Sequence, residues 1–416
     1  MIMQYDSSRE FAEKMDSSDP LRGFRDRFYI PKNKDGKDVI YFAGNSLGLQ
    51  PKTVRSYVEQ ELVDWEKMGV EGHMHAKHPW LPYHEFLTES TAALVGAQNE
   101  EVVNMNSLTV NLHLMLVSFY RPQKQRFKII LEANAFPSDH YAVQSHLRYH
   151  GFDPAGGLIE MKPREGEDVI RTEDILARIE AEGDSIALIM FAGVNYYTGQ
   201  AFEMGKITEA AHAKGIVAGF DLAHAAGNLQ LELHKWDVDF AVWCSYKYLN
   251  AGPGAIAGAY VNRRHLLDMT IPKFWGWWGQ DKATRFLMHH DFQPIPTVES
   301  WQLSNPPILQ LAALRASLDI FAEAKMENLR AKSELLTGYL EFLLESRSNI
   351  TIISPKNKLE RGCQLSLRAE KDGKQLHTRL NEAGVICDWR EPDVIRAAPV
   401  PLYNTFTDVW QFVNML

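Results

Sequence analysis

Two stretches decide the fold: IVAGFDLAH (216–224) and FAVWCSYKYL (240–249). Each begins as a short apolar run and ends on residues that a buried strand does not need. These are Asp221 and His224 in the first, and Ser245, Tyr246 and Lys247 in the second. Runs of this length, bounded by Gly or polar residues, read as buried strands. FKIILEA (127–133), ALIMFAG (187–193) and GAIAGAYV (254–261) repeat the pattern, with helical periodicity between them. The expected fold class is α/β: a large, mostly parallel sheet covered by helices. Open sheets of this kind bind ligands beyond the carboxyl ends of their strands. Asp221 and Lys247, one crossover and one strand apart, are therefore expected on neighbouring strand ends.

Outward from this block the texture changes. Val54, Tyr57, Val58, Leu62 and Trp65 recur at helical spacing, which predicts a surface helix over 53–68 with Thr53 as its N-cap. After Asn305-Pro306-Pro307, residues 308–346 form one long helical pattern broken near Lys325. NITIIS (349–354) and CQLSLR (363–368) read as strands, GKQLHTRLNEAG (373–384) as a helix and VICDWR (385–390) as a strand. That is an α+β pattern. The chain stops at Leu416 while WQFVNML still reads as helix, so a longer native helix is expected.

Composition narrows the function. A chain of 416 residues can bury one large core and a smaller second one. Its formal net charge of −9 disfavours a nucleic-acid partner, which calls for a basic surface. No apolar run reaches the roughly 18 residues of a membrane span. The start, MIMQYDSSREFAEKMDSSD, lacks the apolar core of a secretory signal. Cys244, Cys363 and Cys387 are odd in number and widely spaced, which fits neither a disulfide framework nor a metal knuckle. A cytoplasmic protein is expected.

The residues at the strand ends suggest a cofactor. Pyridoxal phosphate needs an amine for its aldehyde and a carboxylate that keeps its ring nitrogen protonated. Lys247, between an apolar strand and the Gly-rich AGPGAIAG (251–258), and Asp221 could supply them. A buried Asp–Lys ion pair, or two unrelated loop residues, is the plainer reading. Asn106-Ser107-Leu108-Thr109 opens a helical run, so hydroxyls and backbone amides would meet at a helix N-terminus, a ready anion site or simply an N-cap. Ala135-Phe136-Pro137-Ser138-Asp139 opens another helix, with the Phe136 ring projecting at a strand end. Gly252, Gly254 and Gly258 mimic a dinucleotide loop but precede a strand rather than a helix, against hydride chemistry. His73, His75, His78 and His84 lack an accompanying Cys or an HExxH pattern and read as a polar loop, so no metal is expected.

GNSLGL (44–49), NSLTVNLH (106–113), FPSDHYA (136–142), NYYTGQ (195–200), GFDLAHAAGN (219–228), CSYKYLNAGPG (244–254), GWWG (276–279), SNPP (304–307) and IRAAPVPLYNTF (395–406) together resemble the kynureninase family, in order and at matching intervals from about residue 25 onward. The resemblance implies the pyridoxal-phosphate fold type I of the aminotransferase class V superfamily. It divides the chain into an N-terminal segment (1–50) packing with the small domain, a large cofactor-binding domain (51–305) and a C-terminal α+β domain (306–416). It also implies a homodimer with active sites at the interface. The implied activity is hydrolytic Cβ–Cγ cleavage of L-kynurenine or 3-hydroxy-L-kynurenine to L-alanine and an anthranilate, in tryptophan catabolism leading toward NAD.

Carried over by motif, Lys247 bears the cofactor, Asp221 pairs with its ring nitrogen and His224 supports the ring. Leu108, Thr109, Tyr246, Trp277 and Asn305 hold the phosphate end, the last two lent by the partner subunit. Phe136 stacks on the ring, with Ser138 and Asp139 close by. Arg396 grips the substrate α-carboxylate, with Arg285 next in line. His73, Ser304 and Asn305 lie toward the substrate's aromatic ring, and Tyr246 is the expected proton donor. The motif context is similar to that of eukaryotic-type members, which favours 3-hydroxykynurenine. Two positions depart from the family pattern: Ala192 stands where many members have Ser or Thr, and Gln280 where His follows the Trp-Gly motif. A cysteine desulfurase would need a thiol on a mobile loop, whereas the three cysteines here fall in apolar, strand-like settings. A binding protein without activity would lack the arginine and the tyrosine.

Overall fold

The structure, a computed structural model, describes residues 4–416, so the first three residues of the N-terminal stretch MIMQYDSSREFAEKMDSSD lie outside the described residues. In chain order its strands are β1 (Ile40–Tyr41), β2 (Val102–Asn104), β3 (Lys128–Glu132), β4 (Leu158–Met161), β5 (Ile186–Ala192), β6 (Val217–Asp221), β7 (Phe240–Trp243), β8 (Gly258–Val261), β9 (Ile350–Ile352), β10 (Leu365–Ala369), β11 (Val385–Ile386), β12 (Asp388–Arg390) and β13 (Val394–Ala397). Seven of them form one sheet in the order β2-β8-β7-β6-β5-β3-β4. All neighbours are parallel except where β8 runs against β7 and β2.

The apolar runs become strands because both faces of the sheet are buried. Ile129 and Leu131 pack into one core and Ile130 into the other; Phe240 and Val242 alternate in the same way with Ala241 and Trp243. That is the period-2 geometry of a pleated strand with helices on both sides. β2 and β4 escape the sequence reading because they are three and four residues long and stand at the edges.

Strand order places the site. β3 lies between β4 and β5, so the winding direction reverses there. Connections leave to opposite sides at such a point and open a crevice above the carboxyl ends of the strands. Because β2 and β7 both run against β8, β2 also ends on this side. The helices Leu108–Phe119 and Pro137–Tyr149 begin there.

The second sheet, β12-β13-β10-β9, is antiparallel and carries the helix Gly373–Glu382. VICDWR is two strands rather than one: β11 pairs in parallel with β1, whereas β12 pairs with β13. The N-terminal segment is tied to this region. Asp16 accepts from the backbone N–H groups of Phe406 and Thr407, at 2.6 and 3.0 Å, at the start of the helix Phe406–Met415. The long helical pattern divides at Lys325 (φ 63°) into Ile308–Ala324 and Met326–Leu344. The expected helix near residue 53 spans Val54–Met68, but Thr53 is itself helical and makes no side-chain capping bond. A hydroxyl caps only from an extended backbone.

Close packing at the sheet centre gives a direct test. A Cβ placed on Gly219 in β6 would lie 2.1 Å from the Phe240 ring, which is stacked on Phe119 at 5.1 Å between centroids. Gly219→Ala is therefore expected to destabilise the protein by about 1–3 kcal/mol, read as a lower thermal midpoint. An unchanged midpoint would show that the ring can retreat.

Candidate active site

Each functional side chain stands where a strand or helix ends. Asp221 is the last residue of β6, paired across the sheet with Ala192, the last residue of β5. Lys247 lies four residues beyond β7. Leu108 and Thr109 open one helix, and Phe136 caps the other. Their side chains converge on one cleft, lined also by Ser138, Asp139, Ala192, Val194, Tyr196, Ala223, His224 and Tyr246.

Lys247 is 9% exposed, and its Nζ lies 3.0 Å from His224 Nε2. Burial, then the Lys247 charge, holds His224 well below the ordinary histidine range. The imidazole is therefore neutral: Nε2 accepts from Lys247 and the proton sits on Nδ1, which is buried without a partner. The Lys247 ammonium also lies 5.8 Å from the ring centroids of both Phe136 and Tyr246.

Three carboxyl groups lie beneath. Asp221 accepts from the Ala223 N–H at 2.7 Å. Burial raises Asp221, but that N–H bond and Lys247 favour its charged form. Asp139 is pushed well up by burial and by the charges of Asp221 and Glu132. Asp139 therefore keeps its proton, because adjacent buried carboxylates do not all ionise. Glu132, fully buried at the end of β3, is pushed up to about 7 by burial and takes the Ala192 N–H at 3.3 Å on each oxygen.

The opposite end of the cleft suits an anion. Thr109 Oγ1 and Ser138 Oγ are 2.9 Å apart, bridging the starts of the two helices. Ser107 makes no side-chain cap, so the first amides of the Leu108 helix stay available. Asn106 turns the chain into this helix at φ 50°, a left-handed conformation that asparagine tolerates. Its amide is held by Asn111 at 3.0 Å. Phe136, 47% exposed, presents its ring to the cleft edge-on to Tyr196, at 5.3 Å.

Other expected residues lie elsewhere. Arg396 does not line the cleft; it stands behind Tyr196, whose carbonyl accepts from Nη1 at 2.8 Å. His73 holds its own turn through Val70 O at 3.0 Å and meets Trp80 edge-on. Trp277, Ser304 and Asn305 are exposed and outside the cleft of this chain. Trp277 Nε1 donates to Arg285 O. Arg285 is buried against Trp278 and donates to the Trp278 carbonyl at 2.7 Å, so it supports its own loop. Gln280 likewise bonds Thr284 and the Gln293 N–H. Ala192 lines the cleft without a polar side chain. Among the described residues one group, His84, Glu85 and Glu299, has metal-ligand spacing. There the Lys282 ammonium already lies 2.9 Å from both carboxylates.

The sequence reading missed Glu132 and Tyr196. Glu132 carries the signal that exposed Asp221, an acid ending an apolar strand. Tyr196 carries none, because it enters the cleft through a loop. Together, a buried amine, a carboxyl pair, an unpartnered imidazole N–H and a helix N-terminus fit a flat, phosphorylated, basic aldehyde. Pyridoxal phosphate is such a molecule.

Comparison with known proteins agrees with this geometry. The kynureninase C-terminal domain profile matches residues 329–416. Kynureninase from Myxococcus xanthus is 59% identical over 414 residues, covering 99% of this chain and 97% of that one. The mouse (Mus musculus) kynureninase is 50% identical, with 97% and 92% covered. Among solved structures, a cysteine desulfurase from Thermococcus onnurineus superposes with a TM-score of 0.76 at 17% identity, covering 97% of this chain and 96% of its own. That likeness carries the fold alone. Full-length identity carries the family: this chain belongs to the kynureninases.

Proposed function

We propose that this chain binds pyridoxal phosphate on Lys247 and hydrolyses the Cβ–Cγ bond of L-kynurenine and 3-hydroxy-L-kynurenine, releasing L-alanine and an anthranilate. The observation that carries this reading is the convergence of Lys247, Asp221 and the Leu108 helix start on one cleft, in a chain belonging to the kynureninase family. Bound there, the cofactor supplies an electron sink for carbanion chemistry at the substrate's α and β carbons.

The protein's own groups do the rest. The Leu108 amide, Thr109 and Ser138 would hold the phosphate, Asp221, backed by Asp139, would serve the ring nitrogen, and Phe136 would pack against the ring. Neutral His224 accepts from Lys247 and so orients Nζ, which takes the proton from the substrate Cα. A water adds to the γ-carbonyl, the Cβ–Cγ bond breaks, and Cβ then needs a proton. Tyr246 is the donor we assign. Burial raises its phenol, so it keeps its proton at neutral pH until a strong base forms beside it.

Trp277 and Asn305 act in the partner's cleft of a homodimer, and His73, Ser304 and Asn305 read the substrate's aromatic end. Exposed Trp275, Phe286, Leu287 and Met288 surround Trp277 and give a second copy an apolar surface to cover. The division at about residues 50 and 305 belongs to the same reading. So does a cytoplasmic setting, in keeping with three free, buried cysteines.

Borohydride reduction of the cofactor-loaded protein, followed by peptide mapping, is expected to place the phosphopyridoxyl group on Lys247, and Lys247→Ala to abolish turnover. A label on another lysine would refute the assignment. Tyr246→Phe is expected to lower kcat by roughly 10²–10⁴-fold with a smaller change in KM; a kcat within a few-fold of wild type would make Tyr246 a phosphate ligand only. The better substrate is expected to be 3-hydroxykynurenine, because a site built around a hydroxyl rejects the analogue that lacks it. The measurement is kcat/KM for both substrates in wild type, His73→Phe and Asn305→Thr. Equal ratios in all three proteins would remove these residues from ring recognition.

A further inference from the structure

Arg396 is 1% exposed, so its charge needs a counter-ion within the protein. The fold supplies one directly opposite. Asp388 in β12 and Arg396 in β13 are cross-strand partners in an antiparallel pair, so their side chains leave the same face. Asp388 Oδ2 accepts from Arg396 Nη2, and also from Ser46 Oγ. Arg396 Nη1 donates to the Tyr196 carbonyl, and Nη2 also to Ser46 Oγ at 3.1 Å. Nε is buried and has no partner.

The guanidinium is thus half occupied on the edge where a carboxylate binds with two parallel bonds, Nε with Nη2. A single oxygen of Asp388 sits on Nη2 and leaves Nε open. Asp388 has a second cation within reach. Arg390, two residues along the same strand and therefore on the same face, places its Nη2 3.4 Å from that same Oδ2. Arg390 is 36% exposed at its side chain, so it can rotate toward or away from the buried pair.

We propose that Asp388 is a displaceable stand-in for the substrate α-carboxylate: it occupies Arg396 in the free enzyme and passes to Arg390 when substrate takes the Nε–Nη2 edge. The proposal rests on the reading of Arg396 as the carboxylate-binding residue. Two carboxylates on one buried guanidinium repel each other, so one must find another cation, and only Asp388 has Arg390 beside it. Burial would raise the Asp388 carboxyl, but Arg396, Ser46 and Arg390 hold it below the usual range. It is therefore charged at neutral pH and competes for Arg396. Asp388 then sets specificity: a carboxylate that makes no other contact in the cleft gains little by displacing it, whereas an amino acid held also at its amine and aromatic ring does.

The test is calorimetric titration of the cofactor-loaded enzyme with propionate, a carboxylate with no other anchor, alongside KM and kcat for L-kynurenine. Asp388→Asn keeps the side-chain shape and removes the competing charge. It is expected to tighten propionate binding by about tenfold or more, the size of one charge-assisted hydrogen bond. If Asp388 only props Arg396 in place, the same substitution leaves propionate affinity unchanged or weaker, and the proposal falls. Arg390→Gln removes the receiving cation and is expected to act in the opposite direction, weakening propionate and raising KM while kcat stays within a few-fold. It also decides the matter if Asp388→Asn does not fold. Unchanged propionate binding in Arg390→Gln would overturn the hand-over. Arg396→Lys separates the two levels, because an ammonium cannot reproduce the planar two-bond grip. If it keeps wild-type propionate affinity, Arg396 is not the carboxylate site and the underlying reading fails. If it loses propionate while Asp388→Asn gains nothing, only the stand-in role fails.

Discussion

The buried charge at the floor of the cleft is the constraint on which the rest of the site depends. Lys247 is nearly sealed from water, and an ammonium there is tolerated only with acceptors and opposite charge at hand. His224 gives the acceptor and Asp221 the charge. Burial raises Asp221, the Ala223 N–H, Lys247 and Asp139 favour its charged form, and Asp139 and Glu132 are driven toward their neutral forms by the same burial. Each residue's protonation state is therefore set by its neighbours. A neutral His224 and a protonated Asp139 are consequences of desolvation.

The sheet makes this arrangement rigid. Asp221 and Ala192 are in register at adjoining strand ends, so the Ala192 N–H is presented to Glu132 without help from a side chain. Ala192 thus serves through its backbone, although its methyl group offers the cleft no hydrogen bond. The anion end is built by two helix starts joined through Thr109 and Ser138, and is held by backbone geometry rather than by a lysine or arginine. The paired helix starts and the buried Lys247–His224–Asp221 group are in this way different parts of the same crevice.

Arg396 brings in the second sheet. It stands on β13 behind Tyr196, and its contacts with Tyr196 and Ser46 link the small sheet, the loop after β5 and the N-terminal segment. Movement of the small sheet relative to the large one would therefore shift Arg396 and leave the strand-end residues in place.

What could be read from the sequence were features set by local physics. Apolar runs that end in Asp221 and Lys247 report burial on both faces followed by a site, and the break at Lys325 follows from a helical period that cannot continue. The edge strands β2 and β4 were not legible, because their short apolar runs are cut by Asn104 and Glu160. Glu132 had the right signal, yet its role depends on lying beside Asp139 and Asp221, a juxtaposition created by strand order. The division of VICDWR follows from Ile386 and Asp388 finding different partners, β1 and β13, far apart in the chain. By itself, the sequence determined the α/β class, the strand-end chemistry and the family resemblance, since these follow from residue type and order. Only the tertiary structure decided which carboxyl group is protonated, that His224 is neutral, and that Arg396 already holds Asp388. Those properties depend on distance and desolvation, and neither exists until the chain has folded.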